Sequence, residues 1–286
     1  MRIIALAVLY AFCQPSNGSL ALKPPRHGEV YVIAHRGAHK GIPENTLAAY
    51  RNAIALGVDF VEIDVRTTKD GHFVSIHNDT VDDYVVDGTT GKVRDFTLDA
   101  LRRLDIGSRV GPPWKGQRIP TFEEILDLCK GQCGIYLDLK DAPVAPLVEA
   151  VRQRGMERDV LWYADPDEIR ELKSLCPECV GMPDPGPEKN LPQLIEEFRP
   201  GVIAATWRHF SKSFADTCHA AGAIVIVDEG WLLRSWKRAL AWHADGIQTN
   251  SPAELIRFLK ARKGVGQKQS GFLLWRWLKV FRKSRG

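Results

Sequence analysis

The 286-residue chain has no apolar run close to the roughly 18 residues a membrane span needs, so nothing in it reads as a spanning helix. No internal repeat with a clear signature is present, so a repeat architecture gets no support. Cysteine is sparse, at six residues. Acidic residues are missing from the last 25 positions, which carry eight Lys and Arg although the whole chain is only +4. The rest of the chain is therefore net acidic. A basic excess confined to one tail does not argue for a nucleic-acid partner.

Both ends read as separate from a globular body. Met1-Arg2, the apolar stretch Ile3 to Cys13 and the small-x-small triplet Ser19-Leu20-Ala21 form the pattern of a signal peptide over 1–21. A buried first helix is the alternative, but it would end awkwardly at Pro15-Ser16-Asn17-Gly18. Phe12 before Cys13 argues against a lipobox. The expected location is exported, periplasmic or extracellular. At the other end, aromatic and aliphatic residues alternate with cations from Phe272 to Lys283, after a Gly/Gln/Ser-containing linker. The tail over 263–286 is expected to lie at a membrane surface, against the alternative that it packs on the body as another helix. If the first 21 residues are removed, five cysteines remain. Cys129/Cys133 and Cys176/Cys179 have the spacing of local disulfides or of half a zinc site, and oxidised pairs suit an exported protein better. Cys218 falls in a helical pattern and is expected to be buried.

The most informative segment is Val58 to Val65, an apolar run broken by Glu62 and Asp64. Residues i and i+2 share a strand face, so the two carboxylates point together, away from Val61, Ile63 and Val65. Two adjacent buried carboxylates repel and lose hydration, and a divalent cation removes both penalties. The bland alternative is an edge strand with a solvated acidic face. Neighbouring segments favour the cation. Val30 to Ala34 leads into His35-Arg36-Gly37, Phe73 to Ile76 leads into His77, and Ile135 to Leu137 leads into Asp138-Leu139-Lys140. Strands that carry ionisable groups at their C-terminal ends are the layout of a parallel barrel.

The alternation continues along the chain. Strands are expected at 30–35, 59–65, 72–77, 134–139, 160–163, 202–206, 223–227 and 245–249. Helices are expected at 45–56, 97–104, 121–130, 144–154, 166–175, 190–198, 211–221, 230–242 and 252–262, with Asn45 as the N-cap of the first. The Pro/Gly-rich patch 182–187 reads as a loop. The long segment 78–118 reads as an insertion on the substrate side. The fold class is a (βα)8 TIM barrel over 28–262 with a small insertion after the third strand region.

In order and spacing the chain resembles the glycerophosphodiester phosphodiesterase family. The matching pieces are His35-Arg36-Gly37, Pro43 to Tyr50, Glu62 to Val65, Thr68-Lys69-Asp70-Gly71, His77, Leu104 to Ser108, Ile119 to Glu124, Leu137 to Lys140 and Asp245 to Pro252. The resemblance implies metal-dependent hydrolysis of a small glycerophosphodiester to sn-glycerol 3-phosphate and an alcohol. It also implies attack by a neighbouring glycerol hydroxyl to give a cyclic phosphate that water then opens. Glu62, Asp64 and Asp138 are the expected ligands of one Mg2+ or Ca2+, since hard oxygen donors suit hard cations. His35 and His77 are the expected acid and base. Arg36 and Lys140 are expected to bind phosphate, and Glu44 to ligate the metal or orient Arg36.

The chain departs from the family pattern at Asn78, where aspartate is usual, at 81–90, at Asp138, where glutamate is usual, and in the late strand 224–229. These leave two alternatives: phospholipase D-type action on lysophospholipids, and a lapsed barrel that only binds glycerophosphodiesters. The remaining histidines have bland readings. His39 is a loop residue near the site and His72 is solvent-facing. His209, His219 and His243 fall in helix-like patterns without partners. The sequon Asn78-Asp79-Thr80 overlaps the active-site strand end and is read as a chance match.

Overall fold

The structure, a computed structural model, describes residues 22–228 and 232–262. The expected signal peptide over 1–21 and the tail over 263–286 lie outside the described residues. The strands and helices follow in the order β1 (Tyr31–Ala34), α1 (Leu47–Leu56), β2 (Phe60–Thr67), β3 (Phe73–Ser75), α2 (Leu98–Arg103), α3 (Phe122–Cys129), β4 (Gly134–Asp141), α4 (Val144–Arg152) and β5 (Val160–Tyr163). They continue with α5 (Pro166–Leu175), β6 (Val180–Gly181), α6 (Leu191–Phe198), β7 (Val202–Ala205), α7 (Lys212–Ala220), β8 (Ile224–Val227), α8 (Leu233–Ala241) and β9 (Gly246–Thr249). A last helix, α9, covers 252–262.

Eight strands pair in parallel in the order β6-β5-β4-β2-β1-β9-β8-β7. No ladder joins β6 to β7, but Ala204 N donates to Pro183 O at 3.1 Å and nearly closes the barrel. The (βα)8 expectation is met, with two strands reassigned. The segment expected at 72–77 is β3, which runs antiparallel to β2 and lies off the barrel. The Thr68–Gly71 turn is too short to cross the barrel and begin a parallel strand. The missing eighth strand is β6, two residues just before the Pro/Gly patch, too short to show an alternation.

Side-chain alternation separates two cores. Odd residues of β2 (Val61, Ile63, Val65) join the layer between barrel and helices. Even or odd inward positions of the strands (Tyr31, Ile33, Phe60, Tyr136, Leu161, Ile226) fill the barrel itself. The insertion folds around a core of its own, including Val81, Tyr84, Leu101 and Ile106.

Caps place the helices. Thr46, not Asn45, caps α1, with its hydroxyl accepting from Ala49 N. Thr121 and Glu124 form a capping box on α3. Cys176 and Cys179 are bridged, as expected. Cys129 and Cys133 are not bridged. They are buried free thiols at the end of α3 and the start of β4, hydrogen-bonded to each other. Cys218 is buried as expected.

Candidate active site

The inward series on each strand turns from apolar to polar at the C-terminal end. On β1 it runs Tyr31, Ile33, His35; on β2, Phe60, Glu62, Asp64; on β4, Tyr136, Asp138. Asp64 and Asp138 are direct neighbours in the β2/β4 register. The pairing then skips from Leu139 to Asp141, so Lys140 is the extra residue of a β-bulge. Its ammonium turns back to Asp138 Oδ2 at 2.6 Å and lies 3.5 Å from Asp64 Oδ1.

The turn after β1 is held in an uncommon backbone conformation. Arg36 and Gly37 both have positive φ, and a Cβ on Gly37 would lie 2.8 Å from Ala49 Cβ. Only glycine lets the turn pack this close to α1. Asn45 is also left-handed, and its N–H donates to Arg36 O at 3.0 Å. Two strained residues are thus tied together at the rim, where strain of this kind is usually functional. Arg36 N donates to Glu62 Oε2 at 2.6 Å, and its guanidinium pairs with Glu44 at 3.1 Å. Glu44 therefore orients Arg36 and stands outside the carboxylate trio. Asn45 is a buried strut rather than a cap: Nδ2 donates to Asp64 Oδ2 at 2.7 Å, and Oδ1 accepts from the Tyr50 hydroxyl at 2.8 Å.

The hairpin explains His77. β2 overshoots the rim, and β3 returns antiparallel, so Ile76 N donates to Asp64 O at 3.0 Å. His77 thereby arrives beside the trio, near enough for its charge to act on Asp138. Arg66 holds the His77 carbonyl through Nε at 3.1 Å and Nη2 at 2.7 Å. Asn78 Oδ1 lies 2.9 Å from His77 Nδ1, so the asparagine can still orient the ring. His35 Nδ1 lies 2.6 Å from Asn250 Oδ1. With the amide oxygen as acceptor, Nδ1 carries the proton and Nε2 presents its lone pair, 4.0 Å from Glu62.

Burial dominates the electrostatics. It raises the Glu62 carboxyl well above the usual range, reinforced by Asp64 and Asp138. Burial also raises Asp138, against the pull of Lys140. Burial, then the Arg36 charge, pushes the His35 imidazole down to about 4 against the Asn250 hydrogen bond. Burial works against the Lys140 ammonium, but Asp138 and Asp64 outweigh it and raise its pKa.

The donor set fits a hard divalent cation. Donor oxygens of Glu62, Asp64 and Asp138 lie within 4.8 Å of one another. Asp64 Oδ1 is buried without a hydrogen-bond partner, which leaves a lone pair facing the cluster unused. Every expected site residue, His35, Arg36, Glu44, Glu62, Asp64, His77, Asp138 and Lys140, reaches this one rim. Asn45, Arg66, Tyr84 and Asn250 were not singled out from sequence. Asn250 lay inside a quoted motif, and its polar side chain at a strand end was a usable signal. Arg66 reads as an ordinary strand-end cation, and Tyr84 lies in irregular chain.

Other histidines need correction. His219 pairs with Asp245 at 2.7 Å and His243 with Asp216 at 3.5 Å. His209 lies in the turn after β7, 3.0 Å from Thr206 Oγ1. A cleft of about 530 Å³ opens at the opposite end of the barrel, near Gly201 and Gly222 at the β6/β7 gap. It holds no cluster of ionisable groups comparable to the rim, and a two-residue β6 explains the gap.

Fold and site together define the class: a parallel (βα)8 barrel with a rim arranged for an anion and a divalent cation. Residues 35–171 match the model of the glycerophosphoryl diester phosphodiesterase family, the family that the sequence motifs resemble. A glycerophosphodiester phosphodiesterase of Caldanaerobacter subterraneus is 38% identical over 154 residues, 51% of this chain and 63% of that protein. One of Bacillus subtilis is 32% identical over 159 residues, 51% of this chain and 52% of its own length. The matches thus span about half to two thirds of these relatives. The solved structure of glycerophosphodiester phosphodiesterase from Agrobacterium tumefaciens superimposes with a TM-score of 0.71 at 26% identity, covering 80% of this chain and 99% of that one.

Proposed function

We propose that this protein hydrolyses glycerophosphodiesters to sn-glycerol 3-phosphate and an alcohol. The observation that carries the reading is the joining of three carboxylates, two histidines and two cations on one rim, in the family's order. Glu62, Asp64 and Asp138 would hold one Mg2+ or Ca2+, which supplies charge neutralisation to phosphate oxygens when bound. Arg36 and Lys140 draw the phosphodiester to the rim. His35 is neutral at pH 7 with Nε2 free, so it takes the proton of the attacking hydroxyl. His77, oriented by Asn78, returns a proton to the leaving alkoxide.

The direct test is release of glycerol 3-phosphate from glycerophosphocholine by the purified chain, with and without EDTA. No turnover with either Mg2+ or Ca2+ would reject the reading and favour the lapsed barrel. One observation supports the phospholipase D-type alternative. Of the five large hydrophobic side chains that are well exposed among the described residues, four, Val86, Val110, Leu232 and Leu233, belong to segments on the C-terminal side of the barrel, and the fifth, Leu175, ends α5 at the other side. Such a rim could meet an acyl chain. Faster turnover of lysophosphatidylcholine than of glycerophosphocholine would decide for that substrate.

A further inference from the structure

Buried polar atoms without partners are rare, and each one points to an absent ligand or to a cost of a few kcal/mol. Among the described residues they belong to only four side chains: Arg36, Asp64, Arg109 and Trp162. Arg36 and Asp64 are the residues given above to the phosphate and the cation. Arg109 carries the same signature at two nitrogens, Nε and Nη2, and has no role in the reaction as proposed.

Arg109 belongs to the 78–118 insertion, which leans over the catalytic turn. Trp114 Nε1 of the same insertion donates to Gly41 O at 2.7 Å. The Arg109 guanidinium lies over the Tyr84 ring, 4.8 Å from its centroid. Tyr84 is 2% exposed, and its hydroxyl lies 3.4 Å from Glu44 Oε1, the carboxylate that holds Arg36. Arg109 is therefore one ring beyond the phosphate-binding arginine. Stacking fixes the plane of the guanidinium but satisfies none of its N–H groups. The nearest acid in sequence, Asp105, is turned onto Gly107 N, Ser108 N and the Ser108 hydroxyl. No ion pair to Arg109 forms among the described residues.

We propose that Arg109 is a specificity-determining residue that binds an anionic group on the alcohol side of the substrate, a carboxylate in the simplest case. This rests on the phosphodiesterase reading above. Two parallel N–H donors on a stacked, desolvated guanidinium match the two oxygens of a carboxylate. Tyr84 is the platform, and Glu44 links that platform to Arg36, so the head group and the phosphate are held in one frame.

Glycerophosphoserine and glycerophosphoethanolamine differ by one carboxylate and provide the test. The full chain is expected to favour glycerophosphoserine in kcat/KM by about tenfold or more, the worth of a charge-assisted bidentate contact. R109A should erase the preference by raising KM for glycerophosphoserine. Its kcat, and both constants for glycerophosphoethanolamine, should stay within about threefold. R109Q, which keeps the length and planarity over Tyr84, guards against loss of packing and should behave in the same way. If the wild-type chain hydrolyses both substrates without preference, the Arg109 assignment fails and the activity stands. Equal losses on both substrates in both variants would mean that Arg109 only supports Tyr84, and this too overturns it. A wild-type chain inactive on both substrates overturns the phosphodiesterase reading and this proposal together.

Discussion

Asp59 and Asp64 lie five residues apart along the same stretch of chain, both buried, at 7% and 1% exposure, and they do opposite things. Asp59 is at the N-terminal end of the barrel. One oxygen accepts from Arg26 N at 2.9 Å and the other from Val32 N at 2.8 Å, while its own carbonyl accepts from Gly134 N. It joins the entry segment, β1, β2 and β4 through neutral donors, and it has no acidic neighbour of the kind Asp64 has. Asp64 is at the other end. It shares its face with Glu62, lies opposite Asp138, and keeps one oxygen without a donor. The fold gives the first acid a donor on each oxygen, whereas the second has Asn45 on Oδ2 and leaves Oδ1 without a hydrogen bond, with the Lys140 ammonium 3.5 Å away. Asp245 repeats the first pattern, accepting from Val225 N and His219. Burial alone therefore does not mark a functional carboxylate. Unmet acceptors beside like charge do.

The sharpest way to break this contrast is to remove acceptors at each end. Asp64→Asn or Asp138→Asn is expected to lower turnover of glycerophosphocholine by at least about 10³-fold, as is EDTA. The thermal midpoint should change little. Near wild-type turnover in EDTA would show that the trio is structural after all. The histidines come next. His35→Ala and His77→Ala should each lower kcat by about 10²–10⁴-fold, and near wild-type kcat in either would show that the histidine has been misassigned.

Asp59→Ala should do the reverse. It strands two buried N–H groups, so it should cost about 3 kcal/mol and roughly 6–12 °C in Tm while kcat stays within about twofold. A large loss of kcat with an unchanged midpoint would erase the distinction between the two ends.

The pH profile reads the same contrast more finely. Because burial and Arg36 hold His35 down to about 4, its neutral form persists below the ordinary histidine pKa of 6.5. The acid limb of kcat/KM should accordingly fall below 6.5, and a limb at or above 6.5 would contradict a neutral base at position 35. Linkage has the same sign. Between 6.5 and about 4 the unfolded chain takes up a proton at His35 that the folded chain refuses, so this position makes stability fall as pH falls through that window. The smallest effect is expected from Glu62→Gln. In the metal-free protein it removes a buried charge facing Asp64 and Asp138, and should raise Tm by about 2–4 °C. A lower midpoint would mean that the Arg36 N contact to Glu62 outweighs the repulsion.

Much of the rim was legible because strand alternation is a local rule. Glu62 and Asp64 had to share a face, and the expected site residues other than Glu44 lay in or just after a short apolar run whose period could be counted. What escaped notice depended on chain reversal and pairing. β3 looked like another barrel strand because a three-residue apolar run carries no sign of its partner's direction. β6 was invisible because two residues carry no period. Asn45 looked like a cap because asparagine suits caps, and only the left-handed turn at Arg36 and Asn45 aims it at Asp64 instead. Cys129 and Cys133 have the spacing of a bridge, but they are buried as free thiols.

By itself, then, the sequence determined the barrel, the end of it that carries the chemistry and the identity of the groups there. Those depend on side-chain periodicity and on which residues can ionise. The tertiary structure decided which acids are satisfied, that burial lowers the pKa of His35, how the bulge turns Lys140 onto Asp138, and that Arg109 stacks on Tyr84 with two donors unmet. Burial, register and hydrogen-bond partnership belong to residues far apart in the chain, and no local pattern contains them.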